Sequence, residues 1–192
     1  MGFNAARKIF FSSSVRPTIT GSSASGDSEW LYLGGGYAEI LDFLCSPVTG
    51  PANVKVLVSE PGLGKTVMLR SAIERLKGKA RTAFVFWTQF EPQEFVEHLL
   101  SELGSSEPPP SDMKAAQGQF ENLLRRAEAD RKRLVLAIDD AHNLSPATLR
   151  SLSILLDRDT ARPPRLTLLL AGLPRLHDQL AVTGVPSRAV VT

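Results

Sequence analysis

The sequence predicts an α/β protein in which a central parallel sheet is covered by helices. Three observations carry that prediction. A valine-rich run, Val54–Val58, is followed at once by a glycine-bearing loop and a helix reaching to about Gly78. Apolar runs at 82–87, 134–138 and 166–171 then alternate with segments of helical periodicity. The run at 134–138 closes on two adjacent carboxylates, Asp139 and Asp140. Strands that alternate with helices pair in parallel, because each right-handed crossover returns the chain to the same end of the sheet.

Taken in order, residues 1–28 are rich in Ser, Gly and Thr and lack apolar periodicity, which predicts an irregular arm. The folded core is assigned to 29–192. Apolar residues from Trp30 onward are interrupted by Gly34, Gly35 and Gly36, so the first helix is placed at Tyr37 to Cys45. Pro47 stops it, since proline disfavours the helical conformation of its predecessor. The run 82–87 is nearly continuous in apolar residues and is expected to be a strand buried on both faces. Phe95, Val96, Leu99, Leu100 and Leu103 recur at helical spacing, with Gly104 as the stop. A proline-rich connector leads to a charged helix from Met113 to Asp130, whose apolar side carries Phe120, Leu123, Leu124 and Ala127. After the strand 134–138, Ser145 caps a helix that begins at Pro146 and ends near Leu156. The strand 166–171, a short helix from Arg175 to Ala181 and a fifth strand at 188–191 complete the core.

Composition sets the frame for function. The chain has 192 residues, of which 43% are hydrophobic and 22% charged, values of an ordinary globular domain with a sizeable core. A net charge of +2 gives no argument for nucleic acid. The single cysteine, Cys45, excludes an internal disulfide and reads as a small buried hydrophobe. No apolar run approaches the roughly eighteen residues of a membrane span, and Ile9-Phe10-Phe11 is too short for a signal-peptide core. Ala6 stands where a myristoylation signal needs Ser or Thr, so the expectation is a cytoplasmic protein.

The loop Ser59-Glu60-Pro61-Gly62-Leu63-Gly64-Lys65-Thr66 follows the phosphate-binding pattern G-x-x-x-x-G-K-[ST], with Ser59 in place of the first glycine. Wrapping a triphosphate requires backbone N–H groups to come close without Cβ clashes, which Gly62 and Gly64 permit. The helix that follows points its positive dipole end at the same charges. Lys65 reaches the β- and γ-phosphates as a point charge, and Thr66 is placed to hold Mg²⁺. Asp139-Asp140 at a strand end is the matching Walker B pair. Asp139 would hold the metal, and Asp140 would polarise an attacking water. The candidate nucleotide-binding residues are therefore Glu60, Pro61, Gly62, Leu63, Gly64, Lys65, Thr66 and Val67. No Asn-Lys-x-Asp motif for guanine is present, so adenine is the expected base and ATP the expected ligand.

The segment Leu136-Ala137-Ile138-Asp139-Asp140-Ala141-His142-Asn143-Leu144-Ser145 resembles the L-I-I-D-E-A-Q-N-L stretch of ExeA-like AAA+ ATPases. Leu170-Ala171-Gly172-Leu173-Pro174-Arg175-Leu176 resembles that family's L-V-G-Q-P-E-L. The TniB/TnsC-type transposition ATPases share the plan, and the likeness extends over residues 28–192. The resemblance implies a three-layer α/β/α P-loop sandwich with strand order 5-1-4-3-2. It also implies Mg²⁺-dependent ATP hydrolysis at a boundary between subunits, coupled to remodelling a partner protein. Arg188 resembles the finger offered to a neighbour's γ-phosphate; a solvated surface arginine is the alternative.

This sequence departs from that family at several positions. Asp140 replaces Glu, His142 replaces Gln, and Leu173 stands where a polar side chain would sense the γ-phosphate. His142 reads as orienting Asp140 or lying at the edge of the site rather than as a catalytic base. The family continues into a helical lid, and the expectation here is a core without it. Three readings follow. The first is a motor or switch ATPase working as a homo-oligomer or with a partner subunit, on a secretion or transposition protein. The second is a nucleotide-binding module with little or no hydrolysis. The third is a DNA-linked transposition regulator, for which Arg125-Arg126 and Arg131-Lys132-Arg133 would supply a modest basic face; a solvated helix end is the ordinary meaning of such runs.

Overall fold

A computed structural model describes residues 35–47, 53–86, 89–161, 163–183 and 187–191, the last five as backbone. The arm at 1–28 and Trp87 lie outside the described residues. In chain order the elements are α1 (Gly35–Cys45), β1 (Val54–Val58), α2 (Lys65–Leu76), β2 (Ala80–Val85), α3 (Pro92–Glu102) and α4 (Met113–Ala129). They continue with β3 (Arg133–Ile138), a 3₁₀ turn (Ala141–Asn143), α5 (Pro146–Leu156), β4 (Leu166–Gly172), α6 (Arg175–Thr183) and β5 (Ser187–Val191). The strands form one parallel sheet in the order β2-β3-β4-β1-β5, which is the implied 5-1-4-3-2 order read from the other edge.

Side chains alternate across a strand, so each strand feeds two cores. Val54, Val56, Val58, Leu134, Leu136, Ile138, Leu166, Leu168 and Leu170 face the layer of α3, α4, α5 and α6. Leu57, Val135, Ala137, Leu169 and Ala171 face α1 and α2, where Leu44, Met68 and Leu69 cover them. This double burial explains why the central strands read as nearly continuous apolar runs, interrupted at Lys55 and Thr167.

The second strand differs from its expectation. It runs from Ala80 to Val85, two residues earlier than the apolar run, and it is an edge strand paired with β3 alone. Ala83 and Val85 are buried, whereas Ala80, Thr82 and Phe84 are half-exposed on the α2 side. The start is set by a bridge between Lys77 and Ala80 around Gly78, whose φ of 78° suits glycine. The helices begin and end close to where the sequence placed them, with Asp112 accepting from Ala115 N–H and Ser145 from Thr148 N–H as N-caps.

One buried charge holds the α1 layer. Lys55, in the middle of β1, sends its ammonium to the carbonyls of Phe43 (2.5 Å), Leu44 (3.2 Å) and Ser46 (2.6 Å) at the end of α1. Carbonyls at a helix end lack their usual i+4 donor, although Phe43 O also accepts from the Ser46 N–H (3.3 Å) and hydroxyl (2.8 Å), and a cation beside them suits the helix dipole. Burial pulls this ammonium down to about 8. Lys55→Met should remove the charged donor shared by these carbonyls and destabilise the fold by about 1–3 kcal/mol. The expected observation is a lower urea midpoint at unchanged slope; an unmoved midpoint would show that the cap contributes nothing.

Candidate active site

The two charged motifs meet at the carboxyl end of the sheet. β4 lies between β1 and β3, so the loop after β1 and the acidic pair after β3 straddle the end of β4 at Gly172. Open α/β sheets bind ligands in this crevice. Contact across it is direct: the Thr66 hydroxyl donates to Asp139 Oδ2 at 2.5 Å.

In the loop, Gly62 and Gly64 have φ of 80° and 79°, the left-handed region that penalises a side chain. Ser59 is absent from the positive-φ positions, so the first consensus position needs no glycine here. Pro61, Gly62 and Leu63 are exposed, as are Glu60, Thr66 and Val67, while Lys65 is buried. The Lys65 ammonium lies under the loop and donates to the carbonyls of Ser59 (2.9 Å) and Glu60 (2.9 Å). Gly64 precedes the first turn of α2, its carbonyl accepting from Met68 N–H. The loop and the helix start therefore form one rigid piece.

Asp139 and Asp140 have opposite environments. Asp139 is 5% exposed, its backbone N–H extending the β3–β2 ladder to the Val85 carbonyl. Its second oxygen, Oδ1, accepts from Asp140 N–H at 3.0 Å. The Asp140 side chain is 59% exposed, and its backbone is left-handed, with φ 46°. That conformation costs a non-glycine residue roughly 1–2 kcal/mol, less for aspartate than for most types. Among the described residues no cluster of three or more His, Cys, Asp or Glu side chains could hold a metal by itself. Thr66 and Asp139 instead offer two hard oxygens, a set that fits Mg²⁺ when phosphate and water complete its octahedron.

His142 is buried beside Asp140 and Leu173. Its Nδ1 accepts from Leu173 N–H at 3.3 Å and lies 3.9 Å from Asp140 Oδ1. Burial first, then Arg175, pull its pKa below the usual imidazole value, so the ring is neutral near pH 7. At 3.9 Å from Asp140 Oδ1, with its Nδ1 lone pair already accepting from Leu173 N–H, the neutral ring makes no hydrogen bond to that carboxylate. The sequence did not disclose the other contacts of this turn: Gln179 Nε2 donates to the His142 carbonyl (3.2 Å), and Arg175 donates to Asn143 Oδ1 (3.0 Å). They join residues more than thirty positions apart, which no local pattern reports.

The structure leaves two sequence-predicted features away from this site. Arg188 lies at the amino end of β5, beside Val54 and Lys55 at the start of β1, and its side chain is outside the described residues. The Arg131-Lys132-Arg133 run sits at the amino end of β3, opposite the crevice. Of the other two basic residues, Arg126 pairs with Glu107 at 3.8 Å and Arg125 donates to Asn122 at 2.6 Å.

Comparison with known proteins agrees with this architecture. A family model described as an AAA domain matches residues 49–180. The general secretion pathway protein A of Aeromonas hydrophila is 23% identical over 158 residues, covering 82% of this chain and 29% of that protein. Among solved structures, the Aeropyrum pernix ORC2 protein in ADPNP–ADP complexes superposes with a TM-score of 0.61 at 12% identity, covering 86% of this chain and 50% of its own. Cdc6p from Pyrobaculum aerophilum gives 0.60 at 20% identity, covering 88% and 47%. The chain thus spans less than a third of the curated relative and about half of these two structures; at such identities the structural likeness speaks for the fold.

Proposed function

The chain belongs to the AAA domain family, and from that premise we propose that it binds ATP with Mg²⁺ and hydrolyses it in the cytoplasm, as an ExeA-like switch or motor that acts on a partner protein. The observation that carries this reading is the Thr66–Asp139 contact beside the glycine loop. It brings a hydroxyl and a buried carboxylate from two motifs, distant in sequence, to one point next to Lys65.

In this reading the backbone N–H groups around Gly62 and Gly64 surround the phosphates, and the start of α2 adds its dipole. Lys65 exchanges its contacts with Ser59 and Glu60 for phosphate oxygens. Leu63 and Val67, both exposed beside the loop, flank the nucleotide. Thr66 and Asp139 would hold Mg²⁺, which when bound offsets the charge on the β- and γ-phosphates. Asp140, exposed and adjacent, orients and polarises the attacking water. The oligomer is the expected working form, with Arg188 acting on another subunit's site.

A second reading, nucleotide binding with little turnover, has one observation in its favour. Leu173, just after β4, has a side chain that cannot hydrogen-bond, and its backbone N–H is already taken by His142. Both readings share the binding step. Lys65→Ala should weaken Mg-ATP by about tenfold or more, since a charge-assisted hydrogen bond is worth about 1.5–3 kcal/mol. Calorimetry giving equal ATP affinity for wild type and K65A would remove the site assignment.

A further inference from the structure

The 3₁₀ turn after Asp140 is tied to the rest of the fold by three hydrogen bonds, one from the residue after β4 and two from α6. The imidazole Nδ1 of His142 takes the N–H of Leu173 at the end of β4 (3.3 Å), and the His142 carbonyl takes the Gln179 amide from α6 (3.2 Å). Asn143 Oδ1 receives Arg175, also from α6 (3.0 Å). Packing closes the same joint. A Cβ built on Gly172 would lie 2.9 Å from Leu176 Cδ2 and 3.2 Å from both the backbone nitrogen and Nδ1 of His142. The absence of a side chain at Gly172 leaves the imidazole room beside the end of β4.

Immediately before this joint stands Asp140 in its left-handed conformation. Non-glycine residues hold such geometry where the surroundings over-determine it. The acceptor role of Nδ1 also fixes the tautomer. A neutral ring that accepts at Nδ1 carries its proton on Nε2. It therefore has no proton on Nδ1 to give Asp140 Oδ1, 3.9 Å away, and the carboxylate stays free.

We propose that His142 is a positioning residue: by clamping the 3₁₀ turn to the end of β4 and to α6, it holds Asp140 in its left-handed conformation with the carboxylate presented to the crevice. This rests on the reading of Asp140 as the residue that polarises water. The joint also makes α6, the element leading toward β5, mechanically continuous with Asp140. A shift of α6 would then be felt at the carboxylate.

His142→Ala removes the acceptor. His142→Asn keeps one, because an asparagine Oδ1 can stand close to where Nδ1 is. Misplacing a catalytic group by about 1 Å can cost a hundredfold. For H142A, kcat should fall roughly tenfold to a hundredfold with ATP affinity within about twofold of wild type, and H142N should recover most of the loss. Turnover of H142A equal to wild type, or H142N as impaired as H142A, would overturn the proposal. The clamp is also read without turnover. Nitrogen NMR should show His142 with Nδ1 unprotonated, and the Leu173 amide should be protected from hydrogen exchange in wild type and H142N but not in H142A. A protonated Nδ1, or an unprotected Leu173 amide in wild type, would overturn the clamp. An inactive wild type with both signals in place would instead sink the hydrolysis reading and leave the clamp standing.

Discussion

Asp140→Asn should bind Mg-ATP as wild type does and turn it over about 10²–10⁴-fold more slowly, the usual contribution of a positioned general base. The side chains have the same shape, so the left-handed backbone, which asparagine tolerates as well as aspartate, should persist. Lost instead is the negative oxygen that polarises water. Because this carboxylate is exposed while Asp139 is buried and bonded to Thr66, the two substitutions should separate cleanly. Asp139→Asn should weaken the dependence on Mg²⁺ itself. Turnover of D140N equal to that of wild type would remove Asp140 from the chemistry.

Arg188→Ala should abolish any rise of specific activity with protein concentration while leaving ATP affinity nearly intact. The register gives the reason. Arg188 stands beside the start of β1, and the nucleotide loop leaves the other end of that strand. At about 3.3 Å per residue the separation is on the order of 13 Å, too far for service in its own site. In this reading Arg188 serves another subunit's site; the alternative is a surface arginine that serves none. Fingers of this kind contribute about 10³–10⁵ in rate in GTPases. Mixing R188A with K65A is the sharpest form of the test. Each is inactive alone, but a mixed interface joins an intact loop to an intact finger. Activity recovered on mixing supports a shared site; concentration-independent turnover that R188A leaves unchanged makes Arg188 a surface residue.

Much of the site was legible because its parts are local. Gly62, Gly64, Lys65 and Thr66 sit in one loop, and their spacing is dictated by the size of a phosphate group. Asp139 and Asp140 end an apolar strand that is hard to misread. The order of the strands was not legible from periodicity, which says nothing about neighbours; it came through the resemblance to ExeA-like ATPases, now matched by the sheet. The missed contacts depend on register. The sequence reading passes over Lys55 inside its valine-rich run, and only the three-dimensional placement of the end of α1 gives that residue a role. Ser59 departs from the glycine pattern in sequence, and its backbone needs no positive φ. Leu173 looked like a lost polar contact, yet its N–H is the group that His142 uses. The early start of β2 follows from the turn at Gly78, which overrides the apolar run that seemed to mark the strand.

Steady-state ATP turnover by the wild-type chain, with Mg²⁺ present and with the metal chelated, tests the central claim most directly. The account predicts hydrolysis that depends on Mg²⁺ and exceeds the D140N background at least a hundredfold, on the order of the general-base contribution. Turnover indistinguishable from that background, in protein that still binds ATP, would contradict it and make the chain a nucleotide-binding module.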